Sequence, residues 1–137
     1  MKKILICGSM RFYKEMAEWK EKLGQQGYEA TTPARLADVH EIRDKENDLG
    51  RFEQVKREQG MKHFQKVIDT DAILVLNFDK DGRKNYIGGN TFAEIALAVA
   101  INYTQGRNIK VYTLNPLPED SDFTEELKAW GVRQWEE

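Results

Sequence analysis

Residues 72–101 read AILVL (72–76), NFDKDGRKNYIGGNT (77–91) and FAEIALAVAI (92–101). The first run is apolar at every position and has strand length. A strand with no polar face is buried on both sides, as in a parallel sheet covered by helices. The last run is apolar nearly all round, which describes a helix packed deep against such a sheet. Between them lies a polar loop that joins a strand end to a helix start. One strand–loop–helix unit of an α/β fold is therefore readable here, with the apolar strand at its centre.

Working outward, Lys3 to Cys7 is a second short apolar run, ended by Gly8-Ser9. Phe12, Met16, Trp19 and Leu23 then recur at helical spacing, with Lys and Glu between them, and this stripe stops near Gly24 to Gly27. Tyr28 to Thr32, closed by Pro33, has the residues of another strand. From Arg35 to Gly60 the chain is dense in charge with a thin apolar edge (Leu49, Phe52, Val55), which reads as solvated helix and loop. Met61, Phe64 and Ile68 resume a helical stripe. Beyond the central unit, Ile109 to Leu114 is strand-like, and Asp122 to Trp130 places Phe123, Leu127 and Trp130 at helical spacing before Gly131. Strand and helix alternate about four times. The expectation is a single domain over residues 1–137, an α/β Rossmann-like (flavodoxin-like) open parallel sheet of four to five strands with helices on both faces. Ligands of such sheets sit at the carboxyl ends of the strands, which points to the loops after strands one, three and four.

Composition narrows the function. A chain of 137 residues can close one core without disulfides or metal. Its 21 basic and 23 acidic residues nearly cancel, so there is no basic field to capture a nucleic-acid polymer. Cys7 is the only cysteine and His40 and His63 the only histidines, which excludes a disulfide framework and any recognisable zinc spacing. No apolar run approaches the roughly 18 residues of a membrane helix, and the apolar start is too short for a signal peptide. The expectation is a cytoplasmic protein with a small-molecule ligand and no metal or other cofactor.

Two loops carry the chemistry. Gly8-Ser9-Met10-Arg11 joins a strand to a helix N-terminus, where unpaired N–H groups favour an anion, Ser9 offers a hydroxyl and Arg11 a forked cation. The same residues also read as a plain turn, with Ser9 as cap and Arg11 in solvent. In the second loop, Gly88, Gly89 and Asn90 allow close approach of a ligand. Glu94, three residues after Thr91, has two open readings. It is either the partner in a capping box or a carboxylate kept ionised in the first turn of an apolar helix, a nucleophile for an electrophilic sugar carbon. Asp71 reads either as a sheet-end carboxylate at the site or as a solvated strand boundary. Asn77, Asp79 and Asp81 follow strand three, as base contacts or as an Asp/Gly turn. Tyr86 is placed to stack on a base.

The segments ILICGSMRF (4–12), DAILVLN (71–77), YIGGNTFAEIALA (86–98) and VYTLNP (111–116), in this order, resemble the nucleoside 2-deoxyribosyltransferase-like family, including its deoxynucleoside 5′-monophosphate N-glycosidase branch. The resemblance spans about Lys3 to Pro116. It implies a homodimer or higher assembly in which a glutamate attacks the anomeric carbon of a nucleoside or nucleotide, and the base leaves to be followed by water or an acceptor base. It places Gly8, Ser9 and Arg11 in the first loop, Gly88, Gly89 and Asn90 near sugar and phosphate, Glu94 as nucleophile, and Asn115 within reach of a site. The first loop favours the monophosphate branch. His63 stands where the family commonly has an acidic residue that orients the sugar, Leu5 where members often carry tyrosine, and Gly88 where they carry an aspartate ahead of the glutamate. The function expected is hydrolysis or base transfer at an N-glycosidic bond. The alternatives are a noncatalytic nucleotide-binding or sensing domain, or a partner-binding protein using the Arg35 to Gly60 segment.

Overall fold

The computed structural model describes residues 2–33 and 49–136, without the side chain of Leu49. In chain order these form β1 (Lys3–Cys7), a 3₁₀ turn (Met10–Phe12), α1 (Tyr13–Gln25), β2 (Glu29–Thr31) and α2 (Leu49–Asp69). There follow β3 (Ala72–Val75), α3 (Gly89–Gln105), β4 (Lys110–Thr113), α4 (Thr124–Ala129) and β5 (Arg133–Gln134). The five strands make one parallel sheet in the order β2-β1-β3-β4-β5. No helix among the described residues is long and apolar enough to cross a membrane.

Strand geometry divides the core in two. Successive side chains point to opposite faces, so Leu5, Cys7, Ile73 and Val75 meet Val67 of α2, Ile95 and Ala98 of α3, and Leu127 of α4. Ile4, Ile6, Leu74 and Leu76 meet Met16 and Leu23 of α1. The continuous apolar runs of β1 and β3 are explained by this double coverage, and both strands are fully buried from Ile4 and from Ala72 onward. Gly106 ends α3 in the left-handed conformation (φ +67°), where a side chain would be strained.

The structure departs from the sequence reading in three places. First, α2 runs 21 residues from Leu49, through the charged run that gives little periodic signal. Its buried line is His63 and Val67. Met61, two residues from His63 and so about 200° round the helix, is 56% exposed and off that line. Residues 34–48 of the Arg35 to Gly60 segment lie outside the described residues. Second, β5 is two exposed residues that carry no strand signal. Third, the C-terminal helix is shorter than the Asp122 to Trp130 stripe, spanning Thr124–Ala129. Leu127 is fully buried, Phe123 stacks on Phe92 at 4.2 Å, and Trp130 lies over the same ring at 5.3 Å.

Candidate functional site

In the order β2-β1-β3-β4-β5 the winding reverses at β1, so the crevice lies beyond the carboxyl ends of β1 and β3. Gly8 opens it. Its φ is +151°, and a Cβ there would stand 3.1 Å from the carbonyl oxygen of Leu76, so only glycine lets the two strand ends run this close. Ser9 then starts the 3₁₀ turn, its Oγ accepting the N–H of Arg11 at 3.3 Å.

The opposite wall begins with a tight hairpin. Lys80 and Arg83 exchange backbone hydrogen bonds across Asp81 and Gly82, both at positive φ (+51° and +78°), the conformation of a two-residue hairpin turn. Asp79 Oδ1 accepts the N–H of Asn85 at 2.9 Å and closes the loop behind it. Tyr86 folds back so that a Cβ on Gly88 would lie 2.9 Å from its hydroxyl, and the ammonium of Lys80 stands 4.9 Å from the Tyr86 ring. Gly88 caps α3 without a side-chain hydrogen bond, which places Gly89, Asn90 and Thr91 in the first turn, with N–H groups that have no acceptor within the helix.

Between these walls and α2 lies a cleft of about 370 Å³, within the usual size of a small-molecule site. Gly8, Ser9, Met10 and Pro33 form one side, and Lys80, Tyr86 and residues 88–91 another. Lys56, Gln59, Gly60, His63 and Phe64 of α2 form the third. Glu94 lines the cleft from α3 and is the one carboxylate among the described lining residues.

The environment of Glu94 decides between its two readings. Because α3 starts at Gly89, Thr91 is buried inside the helix and Glu94 belongs to the second turn, with no acidic residue in the first. The capping box and the first-turn dipole argument both fail for this reason. The carboxylate turns inward instead: the residue is 9% exposed, and Oε2 lies 2.8 Å from Nε2 of His63. Oε2 makes no properly directed hydrogen bond to another described group, and Nδ1 of His63 is likewise buried and unpaired. Behind them, Cys7 Sγ is 3.5 Å from the same Nε2. A Cys-His-Glu relay would need the carboxylate on the far ring nitrogen. Here both partners crowd Nε2, so the geometry is not that of a thiol nucleophile. Burial first, then the charge of Glu94 and a hydrogen bond with it, push the Cys7 thiol well above its ordinary value.

Of the residues singled out in the sequence, Gly8, Ser9, His63, Tyr86, Gly88, Gly89, Asn90 and Glu94 come together in the cleft. Five lie elsewhere. Asp71 is at the amino end of β3, where Oδ2 accepts the N–H groups of Lys2 and Lys3 at 3.1 and 2.8 Å; it splices strand ends at the edge remote from the cleft. Asn77 is fully buried and clamps β3 to the chain after β4. Its Nδ2 donates to the carbonyls of Asn115 and Pro116, and its Oδ1 accepts the N–H of Asn115. Asn115 returns a bond to the Asn77 carbonyl, so both amides are used in holding the fold. Asp79 serves its own loop. Arg11 is exposed and held at 2.7 Å by Asp81, outside the cleft wall.

The sequence reading missed Lys56, Gln59 and Lys80. The first two precede His63 by seven and four residues and share its helix face, a signal visible only if α2 is extended back through the charged run. Lys80 carries no such signal.

Fold and site together define a Rossmann-like α/β protein with a switch-point cleft built round one buried carboxylate. No protein-family model matches the chain, and no curated protein is significantly similar to it.

Proposed function

We propose that this chain is an N-glycosidic bond enzyme of the nucleoside 2-deoxyribosyltransferase-like kind, acting on a (deoxy)nucleoside or its 5′-monophosphate through Glu94. The observation that carries the reading is the state of that carboxylate. Glu94 is the one acid on the described cleft wall, it is nearly buried, and one of its oxygens has no directed partner. Leaving a buried acceptor without a directed hydrogen bond carries a cost; Glu15 Oε2 and Trp135 Nε1 share that state, but Glu94 is the one of these that lines the cleft, where a role toward a ligand accounts for it.

In the proposed reaction a carboxylate oxygen of Glu94 bonds to C1′ as the C1′–N bond breaks. The bonding pair leaves with the base, which takes a proton from water at the cleft mouth. Water, or a second base, then attacks C1′ and frees Glu94. His63, 2.8 Å from Oε2, positions the carboxylate from the place where the resembling family has an acidic residue. A 5′-phosphate would be met by Lys80 and Lys56 and by the free N–H groups at the start of α3. Arg11, bound to Asp81, is not needed for it.

Purified protein offered a panel of nucleosides and 5′-monophosphates should release free base from one class. A 2-fluoro analogue of that substrate, which slows breakdown of the glycosyl ester, should add one sugar mass to the wild type at Glu94 and none to Glu94→Gln. Ligand binding with no base release from any member would instead support the noncatalytic domain. Turnover with an unmodified wild type would remove the covalent step.

A further inference from the structure

Three ligand-type side chains from three separate elements converge beneath the cleft floor. Cys7 of β1, His63 of α2 and Glu94 of α3 place sulfur, nitrogen and oxygen within 4.8 Å of one another, and all three residues are buried. The arrangement is poorly served by protons alone. Nε2 of His63 faces both Cys7 Sγ at 3.5 Å and Glu94 Oε2 at 2.8 Å, yet a ring nitrogen carries one proton or one lone pair and cannot direct it both ways. Among the described groups Oε2 has its 2.8 Å contact with Nε2 but no hydrogen bond of directed geometry.

We propose that Cys7, His63 and Glu94 form a three-ligand site for a zinc-class divalent cation, and that its occupancy withdraws Glu94 from the chemistry of the cleft. The donor set of one thiolate, one imidazole and one carboxylate suits Zn²⁺ and excludes the oxygen-seeking Mg²⁺ and Ca²⁺. In a tetrahedral zinc site, bond lengths near 2.0–2.3 Å put ligand atoms roughly 3.2–3.8 Å apart. The Cys7–His63 separation of 3.5 Å already meets this, the His63–Glu94 pair has to open by about half an ångström, and the Cys7–Glu94 pair, within 4.8 Å, has to close by up to roughly 1 Å. Three protein ligands leave a fourth position. His63 and Glu94 line the cleft while Cys7 is wholly covered, so the open side faces the cleft, which is also the entry path. Binding would take the thiol proton, with the cation replacing the repulsion between thiolate and carboxylate. The binding claim rests on geometry alone, whereas the silencing clause rests on Glu94 being the nucleophile.

The test uses the full chain after treatment with a chelator. Titrated with Zn²⁺ against a chromophoric chelator, it should take up one ion per chain. With Co²⁺ it should develop an intense thiolate-to-metal band in the near ultraviolet and the visible bands of a tetrahedral ion. Cys7→Ala should lose the band and bind zinc about 100-fold more weakly or worse, with Cys7→Ser as the second variant should the first unfold. Zinc should stop base release by the wild type, and added chelator should restore it. A cobalt spectrum with no thiolate band, or zinc affinity unchanged in both variants, overturns the site. Full turnover of the zinc-loaded chain overturns the silencing. Stoichiometry and spectrum need no substrate, so a protein that releases no base from any nucleotide defeats the glycosidic reading and leaves the metal site standing.

Discussion

The two edges of the sheet treat their polar groups in opposite ways. At the amino edge every described polar group in the junction is used. Asp71 takes two backbone N–H groups, the hydroxyl of Thr70 serves the carbonyls of Lys3 and Ala72, and Arg107 donates to the carbonyls of Ile68 and Thr70. Asn102 closes the turn into β4 by bonding both the N–H and the carbonyl of Ile109. At the carboxyl edge the Asn77–Asn115 clamp is just as saturated, but a few residues away Glu94 Oε2 has only its ion-pair contact with His63 Nε2, and His63 Nδ1 is buried with no partner among the described residues. Saturation marks groups that hold the fold together. At the switch point the incompletely bonded groups belong to residues that line a cleft open to a small molecule.

The largest effect should come from Glu94→Gln, which keeps the shape and removes the attacking charge. Turnover should fall by orders of magnitude, roughly 10³-fold or more. Because Gln keeps the volume and its amide oxygen can still face His63 Nε2, the melting temperature should move by less than about 4 °C. Base-release kinetics and a thermal melt on the same samples check both halves. A variant that melts far lower but retains kcat would return Glu94 to a structural role.

Asn77→Ala should show the opposite split. It removes three hydrogen bonds to the half-buried Asn115 and the exposed Pro116, at about 0.5–1.5 kcal/mol each a loss of roughly 2–4 kcal/mol. Urea unfolding should show a lower midpoint with an unchanged slope, while the folded fraction keeps its kcat. Loss of kcat at normal stability would mean that the clamp belongs to the site after all.

How much of this the sequence could reveal follows the same physics. β1, β3 and α3 were legible because burial on both faces removes every polar residue from a short run, as in AILVL. The first half of α2 was not, because its solvated face dominates the pattern, and β5 was not, because Arg133 and Gln134 carry no apolar signal. Glu94 stands out as one charge in an apolar helix, but its place on that helix is not legible, because α3 starts at Gly89, two residues before Thr91. The pairing of Arg11 with Asp81, 70 residues away, and the meeting of Cys7, His63 and Glu94 are tertiary facts that no local spacing encodes.

Lys80→Ala tests which cation meets a phosphate. The affinity of a 5′-monophosphate should drop by about 1.5–3 kcal/mol and that of the matching nucleoside by much less. Arg11→Ala should cost less than Lys80→Ala, since its guanidinium is engaged by Asp81 and stands outside the cleft wall. Calorimetric titration of both ligands against both variants separates the cases. The reverse ranking would reinstate Arg11 as the anion contact and show that the Asp81 pair opens on binding.

The smallest effect is expected at Asp71, the residue that best represents the amino edge. The N–H groups of Lys3 first and Lys2 second hold its carboxyl below the ordinary aspartate range. A group whose folded pKa is depressed adds stability above its unfolded value, near 3.9, and that contribution is lost as the pH falls through the folded value. Asp71→Asn should therefore lower the urea midpoint slightly at neutral pH, and the gap to wild type should close as the pH drops below about 4. The side chain is solvent-exposed, so screening keeps the gap small and added salt should shrink it further. Turnover should be unchanged at every pH where both proteins are folded, because Asp71 lies at the far end of β3 from Glu94. A fall in kcat with no change in the midpoint would place Asp71 in the catalytic machinery, and saturated hydrogen bonding would no longer separate the edge that builds this protein from the edge that works.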